Sequence, residues 1–293
     1  QQQLDSQNPP ANWHADLRSQ VLCKLQDQHG DPVTDYFLEM YRTANADSRF
    51  EQRLYQQFLR HVHPHSQQPQ NRAFYFVVAA LNELQEEIVN TGGTVTTVVA
   101  DMAKEQDIDE LFNKAIALYG VVDILVNNAG VMDQFDPVAD VNNSTWERVM
   151  AINLTGPFKA MRKAVQLMLS AGKGSIVNIS SVGGLQGARV GAAYTTSKHA
   201  LIGLTKNTGY MYAKKGIRCN AVAPGAMDTT IAAGIDLAHL PAIVNERIMP
   251  GMALMSRSSD PMEVAQVVLF LASDDASFVN GAIFVADGGW TAY

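Results

Sequence analysis

Tyr194 and Lys198 stand four apart in the segment AAYTTSKHA, a spacing that on a helix sets both side chains on one face. Such a pair suits proton transfer. A phenol titrates near ~10 and is a poor acid or base at neutral pH, but an ammonium group beside it favours the phenolate and lowers that value. At the end of the apolar run GSIVNIS, Ser181 is positioned to donate a hydrogen bond to a carbonyl held above the phenol. Alone, a Tyr and a Lys at this spacing are an ordinary surface pair, so the weight of the reading rests on the segments around them.

Those segments are short apolar runs separated by helix-length stretches: AFYFVVAA (73–80), TVTTVVA (94–100), VDILVNN (122–128), GSIVNIS (174–180), GIRCNAVA (216–223) and AIFVAD (282–287). Runs that are apolar on both faces and alternate with helices, here 104–119, 143–170 and 195–214, imply right-handed crossovers and a parallel sheet covered on both sides. The fold class is therefore α/β, a doubly wound, Rossmann-like parallel sheet. Ligands of such sheets bind outside the carboxyl ends of the strands, where the chemistry above is found.

The N-terminal stretch has a different character. Of the 21 glycines only Gly30 precedes Gly92, and residues 1–72 are rich in glutamine and histidine. Apolar residues recur there at helical spacing, as in Phe50, Leu54, Phe58 and Val62 behind a capping box of Ser48 and Glu51. The segment HVHPHSQQPQ (61–70) reads as a linker. The expected organisation is a polar helical segment and linker over 1–72 and a Rossmann-like domain over 73–293. His61, His63 and His65 alternate within that linker, but Pro64 and the polar context favour a simple linker over a metal site, so no metal is expected.

Composition excludes several activities. A chain of 293 residues with a net charge of -7 and no basic block is a poor nucleic-acid binder. It has no apolar run long enough to span a membrane, and its polar start is no secretory signal, so a cytoplasmic protein is expected. The 2 cysteines, Cys23 and Cys219, are too few for a disulfide framework or a zinc cluster.

VDILVNNAG (122–130), Asn153 in INLTG, the Ser181, Tyr194 and Lys198 set, NAVAPG (220–225) with Thr229, and NGAIFVADGG (280–289) occur in order, and in this combination the chain closely resembles the short-chain dehydrogenase/reductase family over roughly residues 73–293. The resemblance implies an NAD(P)-dependent oxidoreductase that moves a hydride between nicotinamide and a small or medium secondary alcohol or ketone. It implies Tyr194 as general acid in reduction and base in oxidation, Ser181 orienting the substrate oxygen, and Lys198 holding the nicotinamide ribose and tuning Tyr194. Asn153, in a helix that Gly156 and Pro157 allow to distort, would position a proton-relaying water. Asn127, Ala129 and Gly130 would let the cofactor approach the backbone. Pro224, Gly225 and Thr229 match the family's segment near the carboxamide, and Asp101 matches its adenine-side acid. Relatives are commonly homo-tetramers or homo-dimers, and the tail GGWTAY, with Trp290 and Tyr293, suits a core or subunit contact.

One family feature is missing. The opening strand of the family ends in a Thr-Gly-x-x-x-Gly-x-Gly turn whose N–H groups and following helix receive the cofactor pyrophosphate. Here AFYFVVAA runs into LNELQEEIVN, with three acidic residues and no glycine, and by the family's register it is the second strand. A helical segment has replaced the first unit, or the sequence upstream of residue 73 carries a splice or frame error, or another chain supplies the strand. A catalytically silent scaffold whose N-terminal helices bind a protein partner is the rival function. Neither sign of cofactor preference stands at Ala80, Leu81 and Asn82, so NAD is expected from the likeness of the C-terminal ending, with NADP possible. Met227, Met249, Met252 and Met255 lie in the family's variable substrate lid, where pliable apolar side chains suit an apolar ketone.

Overall fold

The computed structural model describes residues 81–293 except 83, 87, 91, 92, 233, 234 and 293. The helical leader over 1–72 with its capping box, the linker histidines and the run at 73–80 lie outside the described residues.

Among the described residues four strands form one parallel sheet: β1 (Ile124–Asn127), β2 (Gly174–Ile179), β3 (Ile217–Pro224) and β4 (Ile283–Ala286), side by side in chain order. Helix α1 (Glu105–Tyr119) precedes β1, and between the strands run α2 (Asn143–Met150), α3 (Gly156–Ala171), α4 (Ala192–Tyr212), the short α5 (Ala242–Arg247) and α6 (Met249–Met252), and α7 (Pro261–Ala272). The described residues of 81–90 are also helical. This is the doubly wound arrangement expected from the alternation of apolar runs and helices.

Local chemistry fixes the ends of these elements. Gly120 takes φ 77 after α1 and returns its N–H to the Ile116 carbonyl at 2.9 Å, a left-handed cap that favours glycine. Asp260 and Glu263 close a reciprocal capping box on α7, with Pro261 in the first turn, where its missing N–H costs nothing.

Because strand side chains alternate, each face of the sheet buries its own cluster. Leu125, Ile176, Ile217 and Cys219 pack with Ile108 and Phe112 of α1 and Ala160, Ala164 and Met168 of α3. Val177, Ile179 and Val222 pack with Val264, Val268 and Leu271 of α7 on the other face. A fully buried Leu or Ile such as Leu271 or Ile176 stabilises by about 1.5–3 kcal/mol. Register is set accordingly, with Asn127 beside Asn178 and Ile176 beside Cys219.

Three expectations change. Residues 93–100, predicted as a strand at TVTTVVA, carry no regular secondary structure. A strand exists only by pairing, and among the described residues this run joins no ladder; it is tied instead through side chains, Thr97 to Gln85 at 3.1 Å and Tyr119 to Thr96 at 3.0 Å. The helix predicted over 143–170 is interrupted by a π turn at Ala151–Thr155, directly before Gly156 and Pro157. Proline cannot donate to the ladder, and the widened turn absorbs the loss. Helix α4 begins at Ala192 rather than 195, which brings Tyr194 into its first turn.

Candidate active site

The carboxyl ends of β1 and β2, the π turn and the start of α4 converge on one point. β1 leads to Gly130 and Val131, and β2 to Ser181, which caps a 3-10 turn at Val182–Gly184 by accepting from the Gly183 N–H at 3.0 Å. Tyr194 and Lys198 project from α4. Tyr194 is 6% exposed and Lys198 3%, so the pair is buried rather than a surface contact.

Ser181 hydrogen-bonds the Tyr194 hydroxyl. The Lys198 ammonium lies 5.5 Å from the centre of the Tyr194 ring and donates to the Ile179 carbonyl at 2.8 Å. In the π turn, Asn153 exchanges two 2.8 Å bonds with Val131, accepting from its N–H and donating to its carbonyl. Its amide also donates to Ser197 Oγ at 3.1 Å, and Ser197 donates to the Tyr194 carbonyl at 2.8 Å. The distorted helix thus aims an amide that a regular one would turn elsewhere. A methyl group on Gly130 would come within 3.4 Å of Lys198 Nζ and 3.5 Å of Asn153 Oδ1, so this residue marks the floor of the cluster.

The electrostatics depart from expectation in one respect. The ammonium was expected to lower the Tyr194 value, but burial pushes the phenol up to about 12, with the Ser181 hydrogen bond pulling down and the charge of Asp133 adding to the rise. Burial likewise pulls Lys198 down to about 8. Both shifts have one cause: the charged form of each group loses its water.

The remaining predicted residues divide. Asn127 donates to Asn178 at 2.8 Å, and Asn178 donates to Thr205 at 2.8 Å, a buried polar chain beneath the cluster. Ala129 packs against the α1 and α3 face. Pro224 closes β3, and Gly225 lies so near Asp287 that a side chain would strike it. Thr229 accepts weakly from the Ile231 N–H at 3.4 Å. Asp101 is spent on the turn before α1, bonding the Ala103 N–H at 2.9 Å and Lys104 at 3.6 Å, apart from the Tyr194 group.

Sequence reasoning missed Asp133, Gly191 and Asn178. The polar Asn178 inside the apolar run GSIVNIS was a visible signal. Asp133 had none, because the helix start that it caps lies far along the chain. Trp290, expected in a core or subunit contact, is buried with Arg189 stacked 4.6 Å from its ring centre and donates to the Gly251 carbonyl at 2.8 Å, which joins the C-terminal tail to α6.

Comparison with known proteins gives this geometry a family. Residues 71–291 match the family described as Enoyl-(Acyl carrier protein) reductase. The chain is 40% identical over 215 residues to 3beta-hydroxysteroid dehydrogenase 2 of Eggerthella lenta, covering 73% of this chain and 82% of that relative. It is 36% identical over 212 residues to cyclohexanol dehydrogenase of an Acinetobacter strain, covering 72% and 81%. Levodione reductase superposes with a TM-score of 0.65 at 32% identity, covering 75% of this chain and 85% of that one. A candidate NAD(P)-dependent gluconate 5-dehydrogenase from Beutenbergia cavernae, solved with NADP at low occupancy, superposes with a TM-score of 0.64 at 35% identity, covering 73% and 84%. The chain belongs to the short-chain dehydrogenase/reductase family and is an NAD(P)-dependent oxidoreductase of that family.

The residues present fit the nicotinamide end of such a cofactor. Among the described residues, Lys198 uses one of its three donors, on Ile179, which leaves a buried ammonium with hydrogen bonds to give. Asn127 Oδ1 is buried without a partner. The phosphate end is different: the described residues include no glycine turn followed by a helix, and only Gly30 precedes Gly92 in the sequence.

Proposed function

We propose that the chain interconverts a secondary alcohol and its ketone, with Tyr194 as the acid/base group, Ser181 orienting the substrate oxygen, Lys198 holding the ribose of the nicotinamide and Asn153 ordering a relay water. The observation that carries the reading is the buried Ser181–Tyr194 hydrogen bond with the Lys198 ammonium beside the phenol ring. NAD or NADP supplies or accepts the hydride.

In reduction, the phenol hydroxyl donates its proton to the ketone oxygen as that oxygen gains charge, while the Ser181 hydroxyl donates a second hydrogen bond to it. Burial holds the Tyr194 phenol above its ordinary value, at about 12, which suits the acid role, and a cation brought nearer the phenol favours the base role in oxidation. Lys198 would give its free donors to the ribose hydroxyls of a bound cofactor; Asn127, Ala129 and Gly130 would keep that approach open, Pro224, Gly225 and Thr229 would hold the carboxamide side, and Asp101 would serve the adenine side. NAD is favoured over NADP only by the likeness of the C-terminal ending.

The relatives' names include cyclohexanol and cyclopentanol dehydrogenases, both acting on secondary alcohols, so a cyclic secondary alcohol is the first substrate to assay. Exposed Phe278 and Val285, with Phe270 and Phe284 stacked edge to face at 6.2 Å, support a homo-dimer or homo-tetramer built on the β4 side, which light scattering tests. Turnover of cyclohexanol with NAD and with NADP, followed by absorbance at the nicotinamide band, tests the activity. Folded protein that neither turns over nor quenches NADH or NADPH fluorescence refutes it.

A further inference from the structure

Helix α4 starts at Gly191, which has no side chain with which to cap its own first turn. The cap comes from the loop after β1. Asp133 Oδ2 accepts from the Tyr194 N–H at 2.9 Å, and Asp133 Oδ1 accepts from the Phe135 N–H at 3.2 Å. The Gly191 backbone donates to the same carboxylate. The carboxylate is 1% exposed and lies so close to Gly191 that any side chain there would strike it. Gly191 has an ordinary φ of -73, so what glycine provides here is room. Burial raises its value above the usual carboxylate range, and the N–H donors around it pull the other way, favouring an acceptor-only carboxylate.

The same loop reaches the rest of the cluster. Val131 is clasped by Asn153, the Asp136 carbonyl accepts from the Ala192 N–H at 2.9 Å, and Phe135 holds φ 62 while buried. A non-glycine residue in the left-handed region persists only where its surroundings hold it there. Gln134 accepts from the Asp236 N–H at 3.0 Å, so the loop also touches the segment between β3 and α5.

We propose that Asp133 is a positioning residue for Tyr194: by capping the first turn of α4 from the β1 loop it fixes the phenol against Ser181, and its buried charge opposes formation of the phenolate. The proposal rests on the reading of Tyr194 as the acid/base group. The charged groups around the pair are few. Lys198 faces the ring from α4, Asp136 adjoins Asp133 in the loop, Arg148 of α2 donates to the Met132 carbonyl at 3.1 Å, and Arg189 is turned to Trp290. The rise in the Tyr194 value that follows from the Asp133 charge agrees with this arrangement.

Two substitutions separate the two effects. Asp133→Asn keeps one acceptor oxygen and removes the charge; Asp133→Ala removes both. Full-length protein labelled with 13Cζ-tyrosine is followed by NMR, with the Tyr194 resonance assigned by its loss in Tyr194→Phe, and the pH profile of cyclohexanol oxidation is recorded in parallel. In Asp133→Asn the Tyr194 resonance is expected to keep its neutral-pH position and to begin titrating at lower pH, and the rise of kcat/KM for oxidation, which follows loss of the phenol proton, to move to lower pH by about half a unit or more. In Asp133→Ala the resonance is expected to move or broaden at neutral pH, and kcat to fall about tenfold or more with KM little changed. A Tyr194 resonance and a pH limb that coincide with the parent in both variants would overturn the proposal. Turnover retained by Tyr194→Phe sinks the acid/base reading instead, and the NMR comparison then decides the role of Asp133 by itself.

Discussion

The cluster at the ends of β1 and β2 and the run at 93–101 start from similar material, an apolar segment ending in a polar residue, and end in opposite states. At the first, Asn127, Asn153, Ser181, Tyr194 and Lys198 are drawn from four elements and held by short, buried hydrogen bonds. At the second, Thr96, Thr97 and Asp101 reach only neighbouring helices and their own turn. Strand β1 has a ladder partner along its whole length, and among the described residues the second run has none. Pairing, rather than composition, decides where side chains can be aimed.

If the contrast holds, substitutions should matter in proportion to how many elements each residue ties together. Tyr194→Phe is expected to lower kcat for cyclohexanol about 10²–10⁴-fold while the protein melts as before, measured by steady-state kinetics and circular dichroism. Ser181→Ala comes next, at about 10²-fold in kcat, since it removes one donor to the developing oxyanion. Asn178→Leu leaves the Asn127 amide unpaired in the core and takes from Thr205 the donor it accepts from, and should cost about 1–3 kcal/mol in urea unfolding. Equal stability to the parent would mean that the buried chain is dispensable.

The Lys198 shift gives a pH test. Its folded value is depressed from 10.5 to about 8, so between those values the unfolded chain binds more protons and stability rises with pH; below about 8 the cost of the buried ammonium is fully present. Lys198→Met lacks that dependence, so the parent should gain on the variant between pH 8 and pH 10 in chemical denaturation. A constant difference across that range would contradict the burial argument. The smallest effect belongs to the other region: Asp101→Ala removes an exposed turn contact and should change stability by no more than about 0.5 kcal/mol, with the Tyr194 kinetics untouched.

Much of this was legible in residue order. The runs at 122–128, 174–180, 216–223 and 282–287 cover the four described strands to within one residue, because parallel strands buried on both faces must be continuously apolar. The distortion near Gly156 and Pro157 was legible too, since proline leaves a helix few ways to continue. TVTTVVA misled because β-branched composition describes willingness to pair, while a strand requires a neighbour. Asp133 was illegible for the opposite reason: the residue whose N–H it accepts lies 61 positions away, and no local pattern marks such a contact.

The sequence by itself determined which residues alternate, which form helices on one face, and that Tyr194 and Lys198 share a turn, because these follow from fixed backbone periods of about 3.6 and 2.0. Only the tertiary structure decided that the pair is buried, that burial raises the phenol above its ordinary value in spite of the neighbouring ammonium, and that a carboxylate from the β1 loop caps the helix carrying both. Loss of water and hydrogen bonds between distant residues are properties of packing, and they exist only once the chain has closed on itself.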